Sequence, residues 1–438
     1  MFFGFIDANE RQIKHKDKIT EGLAGFDCVV GNPPYDELSE HAAGRELPEK
    51  DFLKQASLYK DALGGRLNIF RPFVLRSMSI LRIGGRHSFI VPMALLADQF
   101  TSALRRRLLN EGWLRSIAAF PQKDDPHNRV FFEAKLSTCI YVAEKRPAKD
   151  WTIAVATYPG KSLRDTPKVC QVCAADIALL DPANLSIPNL DGRDLERTLA
   201  VTRNPRTIPL ALVAQAACGE LMVNADFEKY RVPTGTTEVI RGSHIGPYVL
   251  FVEAKQGEAL YFNEKKWRQE HPNASVLQNI TQPRAVYQRY AAIDNFRRLI
   301  SCVVPAGRWC SHTTGYLHSS KYDPCVLVSL MNSGWLEWRF SQTSTNNNVN
   351  AYELEALALP KFARAANAAN QQTVAWAEWD ALLCGGEDGV SDWEQAVLAK
   401  MSHTPSSADA WPDSIHDALA AGGKEMCRLG EGRQRLTN

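Results

Sequence analysis

The chain has 438 residues, 45% of them hydrophobic and 23% charged, with a formal net charge of +2. That length holds two or three cores of ordinary size, and the composition is that of a soluble globular protein. The opening Met1-Phe2-Phe3-Gly4-Phe5 meets Asp7 and Glu10 at once and no stretch has the apolar length of a membrane span, so neither a secretion signal nor an anchor is expected and the chain is read as cytoplasmic. Ten cysteines are scattered without a framework, which suits a reducing compartment. Residues 361–438 hold seven Lys/Arg against eleven Asp/Glu, leaving 44 against 38 in the preceding part. A mildly basic body with an acidic tail fits a polyanionic partner.

Residues 26–146 read as alternating strands and helices. Phe26-Asp27-Cys28-Val29-Val30 is a short apolar strand that stops at Gly31-Asn32-Pro33-Pro34. Leu67, Phe70, Val74, Met78 and Leu81 recur at helical spacing, with Pro72 near the first turn and Gly84-Gly85 as the stop. His87 to Val91 is a second strand, closed by Pro92. Leu96, Phe100, Leu104 and Leu108 mark one helix face, and strands follow at Ile117 to Phe120 and Leu136 to Ala143. The alternation predicts a largely parallel, doubly wound α/β sheet. From 151 to 225 the pattern weakens into a connecting region. Residues 226–360 carry short strand-like pieces and a helix near Tyr322 to Phe340, a separate mixed α+β recognition domain. The tail, 361–438, is Ala-rich and helical, loosening around Ser402 to Asp413.

Asn32-Pro33-Pro34-Tyr35 is the motif with chemistry in it. It ends a strand, and open α/β sheets bind their ligands at the carboxyl ends of their strands. Two prolines fix φ and remove two backbone donors, so the loop presents carbonyls. The Asn32 amide oxygen and the Pro33 carbonyl can both accept from an exocyclic amino group, favouring the pyramidal geometry in which its lone pair is free to attack a methyl group. Tyr35 offers a flat face to an extruded base. The bland alternative is a strand-terminating turn with an ordinary core tyrosine.

Phe26 to Tyr35, Asn68-Ile69-Phe70, Gly84 to Pro92, and Val130-Phe131-Phe132 with Ser137 to Val142 resemble the second half of the catalytic domain of TaqI-like, gamma-class N6-adenine DNA methyltransferases and related type IIG restriction-modification enzymes. Glu238 to Ile245, Gln282 to Tyr287, and Met331 to Asn350 with Leu357 to Pro360 are similar to the TaqI-type target-recognition domain. The resemblance implies that Asn32 and Pro33 hold the adenine amino group, that Pro34 completes the loop, and that Tyr35 stacks on the base. It implies that Phe131 or Phe132 stacks from the other side, that S-adenosylmethionine is the donor, and that double-stranded DNA is the partner. It implies a Rossmann-like methyltransferase sheet over 1–150, which this chain carries incompletely.

The Gly-rich strand-to-helix turn of such enzymes is not found in the roughly 25 residues before the first strand, and Gly430-Glu431-Gly432 follows no apolar strand. A donor-binding half on a separate chain, or a truncated product, is the expectation, and donor-binding residues stay unassigned. Arg241, Arg284, Arg289 and Arg308 are the candidates for DNA contact, with Arg297 and Arg298 among neighbouring aromatics; a solvated charged face is the alternative. Asn346-Asn347-Asn348 would read adenines or form a turn, and Arg105-Arg106-Arg107 reads as a solvent-facing stretch. Asp125 with Glu133-Ala134-Lys135 has the letters of a nuclease site, and Cys170-Gln171-Val172-Cys173 those of half a zinc site; both are read as incidental, and no metal is expected. Competing readings are methylation of an RNA base or a protein glutamine, and a catalytically inactive DNA-binding remnant.

Overall fold

The computed structural model describes residues 25–40, 44–146 apart from 112, 152–363 apart from 273, 275, 293, 294, 345 and 346, then 378, 381, 383, 386–405 and 407–437. The first residues, Met1 to Glu10, lie outside the described ones. The chain forms two compact units, residues 1–199 and 200–438.

In the first unit, β1 (Phe26–Gly31) is followed by helix α1 (Phe70–Ile80), which presents Phe70, Val74 and Met78 to the core as its spacing requires. Strand β2 (Leu81–Pro92) starts directly after the helix, so Gly84-Gly85 is not the expected helix stop. Gly84 has φ +76°, and a Cβ on Gly85 would lie 2.7 Å from the Phe26 carbonyl oxygen. The pair bends β2 and lets β1 come close beside it. The single helix expected over 96–108 is broken. Asp98 accepts from the Phe100 amide at 2.7 Å, a short turn follows, and α2 (Ser102–Asn110) begins afresh. Leu96, Leu104 and Leu108 are buried, whereas Phe100 is turned out.

Strands β3 (Leu114–Phe120), β4 (Thr138–Glu144), β5 (Thr152–Thr157) and β6 (Lys168–Cys173) complete a six-stranded sheet ordered β1-β2-β4-β3-β5-β6. Four strands, β1, β2, β3 and β5, share one direction; β4 and β6 run against them. The α/β architecture is as expected, and the reversed β4, inserted between β2 and β3, is what alternation alone did not reveal. The region expected to connect two domains supplies β5 and β6 instead. Burial alternates along β5, with Ile153 and Val155 inside, but the intervening residues are alanines, so residue type gives no period-two signal there.

The second unit is built on β7 (Gln215–Cys218), β8 (Arg284–Gln288), β9 (Ser301–Val304) and β10 (Thr314–His318), an antiparallel sheet ordered β9-β8-β10-β7. Each face is apolar. Ala285, Tyr287 and Leu317 join one core with helices α3 (Pro324–Met331), α4 (Gly334–Ser341), α5 (Gly386–Ser402) and α6 (Asp413–Thr437). Val286, Cys302 and Tyr316 face another, with Ile240 and Ile245. The tail is therefore not an appendage. Ile415, Ala418, Ala420 and Ala421 of α6 are buried in the core of the sheet, and a Cβ on Gly423 would lie 2.5 Å from the Cys325 carbonyl of α3. Nor is the stretch before α6 loose among its described residues. Trp411 pairs with Lys361 and Ala363 through backbone bonds, and the Arg206 guanidinium sits 4.6 Å from its ring centroid. Gly430-Glu431-Gly432 lies within α6, where a phosphate-cradling turn has no place.

Candidate active site

The parallel register sets Gly31 beside Phe89, so the chain leaves β1 into Asn32 where β2 approaches Pro92. Pro33 is buried and anchors the loop, while Asn32 and Pro34 are exposed. Among the described residues the Asn32 side chain has no hydrogen-bond partner within the chain, so its amide is open to a ligand. Tyr35 is fixed at both ends. Its hydroxyl donates to the Ile90 carbonyl at 2.9 Å, and its own carbonyl accepts from the Asn68 side-chain amide at 2.7 Å. Burial, with Cys139 as a lesser cause, raises its phenol well above the ordinary range, which keeps the donor protonated.

Asn68 does two jobs, since its Oδ1 also accepts from the Phe70 amide at 3.2 Å at the head of α1. Backbone bonds from Leu38 to Leu67 (2.8 Å) and from Ile69 to Asp36 (2.9 Å) tie the rest of the loop to the same segment. The sequence marked Asn68 only as part of a resembling stretch. An asparagine at the head of a predicted helix is the signal that assigns it a capping role.

Loop 121–137 crosses from β3 to β4 and brings Phe131 against Tyr35, ring centroids 5.9 Å apart at 65°. Phe132 is 66% exposed and lies edge-on to His127, so only Phe131 meets the expected base-stacking position. The loop is held from within: Gln122 accepts from the Asp124 amide at 2.9 Å, Arg129 donates to the Phe132 carbonyl at 2.9 Å, and Lys135 pairs with Asp124 at 2.6 Å. Asp125 takes the His127 amide and the Asn128 side chain, bonds that hold its carboxyl below the ordinary range. Its part, like that of Lys135, is to shape this turn. Cys170 is buried in β6, and among the described residues no three His, Cys, Asp or Glu side chains gather as a metal would require.

The arginines divide. Arg284 is 2% exposed and its Nη2 donates to Glu220 at 2.7 Å and to the Arg308 carbonyl at 3.0 Å. It is an interior ion pair and is not presented to a ligand. Arg298 and Arg105 are likewise buried, holding backbone carbonyls, so the stretch at 105–107 is not wholly solvent-facing. Arg308 is exposed. Arg289 is half-buried, donating to the His312 carbonyl at 2.8 Å, and Arg241 donates to the Glu258 carbonyl. Asn346 lies outside the described residues; the carbonyls of Asn347 and Asn348 receive the Ala291 amide and the Arg298 guanidinium. Among the described residues no helix is long and apolar enough to cross a membrane.

The chain is similar to known restriction-modification proteins. The type II methyltransferase M.TthHB8I of Thermus thermophilus is 34% identical over 90 residues, 20% of this chain and 20% of that protein. The type II methyltransferase M.HincII of Haemophilus influenzae is 28% identical over 116 residues, 26% of this chain and 21% of that protein. The chain thus spans about a fifth of the length of these relatives. A solved structure of the type IIL restriction-modification enzyme MmeI in complex with DNA aligns over 92% of this chain and 54% of that one, at 10% identity and a TM-score of 0.47. Residues 5–126, which contain Asn32 to Tyr35, match the family model of the Eco57I restriction-modification methylase.

Proposed function

We propose that this chain is the catalytic and target-recognition portion of a site-specific DNA methyltransferase that transfers a methyl group from S-adenosylmethionine to the N6 of adenine, within a restriction-modification system. One observation carries the reading: an unpartnered Asn32 amide at the carboxyl end of β1 stands three residues before a tyrosine that is held at its hydroxyl and at its backbone carbonyl and faced by Phe131. Asn32 Oδ1 and the Pro33 carbonyl accept the two N6 hydrogens. Tyr35 holds the ring plane of the extruded base, and Phe131 closes the other side. The rings now meet edge to face, so an entering base displaces Phe131.

No described residue is assigned to the methyl donor. The donor-binding portion belongs to a preceding segment of the same polypeptide or to a second chain. Among the described residues β1 pairs with β2 alone, and Cys28 and Val30, which share one face of the sheet, are exposed, Val30 by 66%. An apolar strand left open at a sheet edge calls for a further strand.

The test is methyl transfer to duplex DNA by the full chain completed with that portion, followed by nucleoside analysis. Asn32→Ala is expected to lower turnover about 10²–10³-fold with little change in DNA affinity. Tyr35→Ala weakens base stacking by about 1–3 kcal/mol, whereas Tyr35→Phe keeps the face and loses only the bond to Ile90. Full activity of Asn32→Ala, or methylcytosine as the product, refutes the reading.

A further inference from the structure

The connection between β8 and β9 holds its outermost ring in water. Phe296 is 100% exposed, while described residues on either side of it, 288–291 and 297–300, are anchored. The Gln288 amide donates to the Ile300 carbonyl at 3.1 Å, closing the hairpin. Arg298, 2% exposed, reaches back to the carbonyls of Ala291 and Asn348, each at 3.3 Å, with Phe340 beneath its guanidinium. The Glu337 carboxylate receives the amides of Arg298 (2.9 Å) and Leu299 (2.7 Å), and Arg297 donates to the Asn332 carbonyl. On the other side, the Ala291 amide donates to Asn347 at 2.9 Å and the Val349 amide to Arg289 at 2.7 Å. Single apolar side chains are ordinary on surfaces, but the other exposed rings of the described residues keep part of their surface covered. A ring wholly uncovered on a base this well bonded is held out toward something.

Charge indicates what. From 289 to 299 the sequence carries three arginines and the single acid Asp294; Arg298 is buried beside Glu337, which leaves Arg289 and Arg297 half-exposed. Arg289 and Arg297 spend one or two of their five donors on carbonyls or Cys218 and keep their charge. An exposed ring that Arg289 and Arg297 flank in sequence, with Tyr290 the only other exposed ring among the described residues of this connection, lacks the contiguous apolar patch that centres a protein interface. It is the right shape to enter a base stack whose flanking phosphates the arginines neutralise. We propose that Phe296 is a wedge that the second unit inserts between adjacent base pairs of duplex DNA. The inference rests on the reading that this unit binds duplex DNA. Insertion parts one base step and locally unwinds it, which lowers the cost of extruding a nearby base.

The experiment uses the full chain and mixed-sequence duplex at low salt, with two readouts: affinity by anisotropy, and unwinding of closed circular plasmid relaxed in the protein's presence. Wild type is expected to bind and unwind. Phe296→Ala, which touches nothing and should melt as wild type does, is expected to bind about 5- to 100-fold more weakly, the usual effect of one lost aromatic–base stack, and to unwind nothing. Phe296→Trp should retain both. A wild type that binds without unwinding, or a Phe296→Ala variant that unwinds normally, overturns the wedge and leaves DNA binding standing. A wild type with no affinity for any duplex overturns both, and association of two copies through this ring, seen as a Phe296-dependent dimer, overturns the choice of DNA as occupant.

Discussion

Replacing Arg284 separates two roles that its sequence context does not distinguish. Arg284 and Glu220 are 2% and 0% exposed, joined at 2.7 Å, and the other Glu220 oxygen accepts the Cys310 amide at 2.8 Å. Burial raises the Glu220 carboxyl above its ordinary range, and Arg284 is the main force pulling it back. Arg284→Ala strands that carboxylate in the interior, a loss of about 3–5 kcal/mol. The second unit runs from Ala200 to Asn438. A unit of that size loses about 2–4 °C per kcal/mol, so melting should fall by roughly 10 °C. The arginine is itself imperfectly served, because Nε and Nη1 are buried with no partner among the described residues. Exchanging the whole pair, Arg284→Met with Glu220→Leu, should therefore restore or exceed wild-type melting. Differential scanning calorimetry of the two variants, with duplex binding measured well below both transitions, decides the matter. An Arg284→Ala protein that melts like wild type but has lost DNA affinity would show that the side chain reads DNA and that the interior pair is not what holds it.

Two further outcomes follow from the interior. His87 is buried between Ser77 and Tyr141, with Nε2 unpartnered among the described residues, and burial lowers its pKa from 6.5 to about 4. The folded protein refuses a proton that the unfolded chain accepts, so stability present above pH 6.5 falls as pH drops toward 4, by about 3 kcal/mol; His87→Phe should flatten that limb of an equilibrium denaturation series. Gly423→Leu forces a side chain onto the Cys325 carbonyl and Ser329, which should destabilise the second unit by about 1–3 kcal/mol in urea melts, whereas Met426→Lys on the exposed side of α6 should be neutral.

The candidate loop was legible in the sequence because the proposed chemistry requires fixed letters there. A strand, then Asn-Pro-Pro-Tyr, leaves little freedom in what the backbone presents. Helical spacing likewise picked out the buried face of α1 before its ends were known. What stayed hidden depended on partners distant in the chain. Arg284 and Glu220 are sixty-four residues apart, and nothing near either marks it as internal. Phe131 and Phe132 are interchangeable as letters; which one meets Tyr35 is decided by a loop folded around Gln122, Arg129 and Lys135. The glycines at 84–85 were misread because a helix stop and a strand bend both use φ > 0. The tail's role in the core was masked by its alanines and acids, which suit a solvated helix equally well.

The position of α6 also bears on how the protein is made. The sheet of the second unit and α3, which lies on it, are complete in sequence by Met331, but α6, which packs on the outside of α3, begins at Asp413, roughly eighty residues later. At ribosomal rates of about 5–20 residues per second, that outer side waits on the order of 4–16 s for its cover. During that interval the side of α3 that carries Cys325 and Ser329, against which Gly423 packs in the finished protein, is uncovered. A chain released early by a nonsense codon past position 360 would keep Asn32 to Tyr35 yet lack the helix that packs on α3.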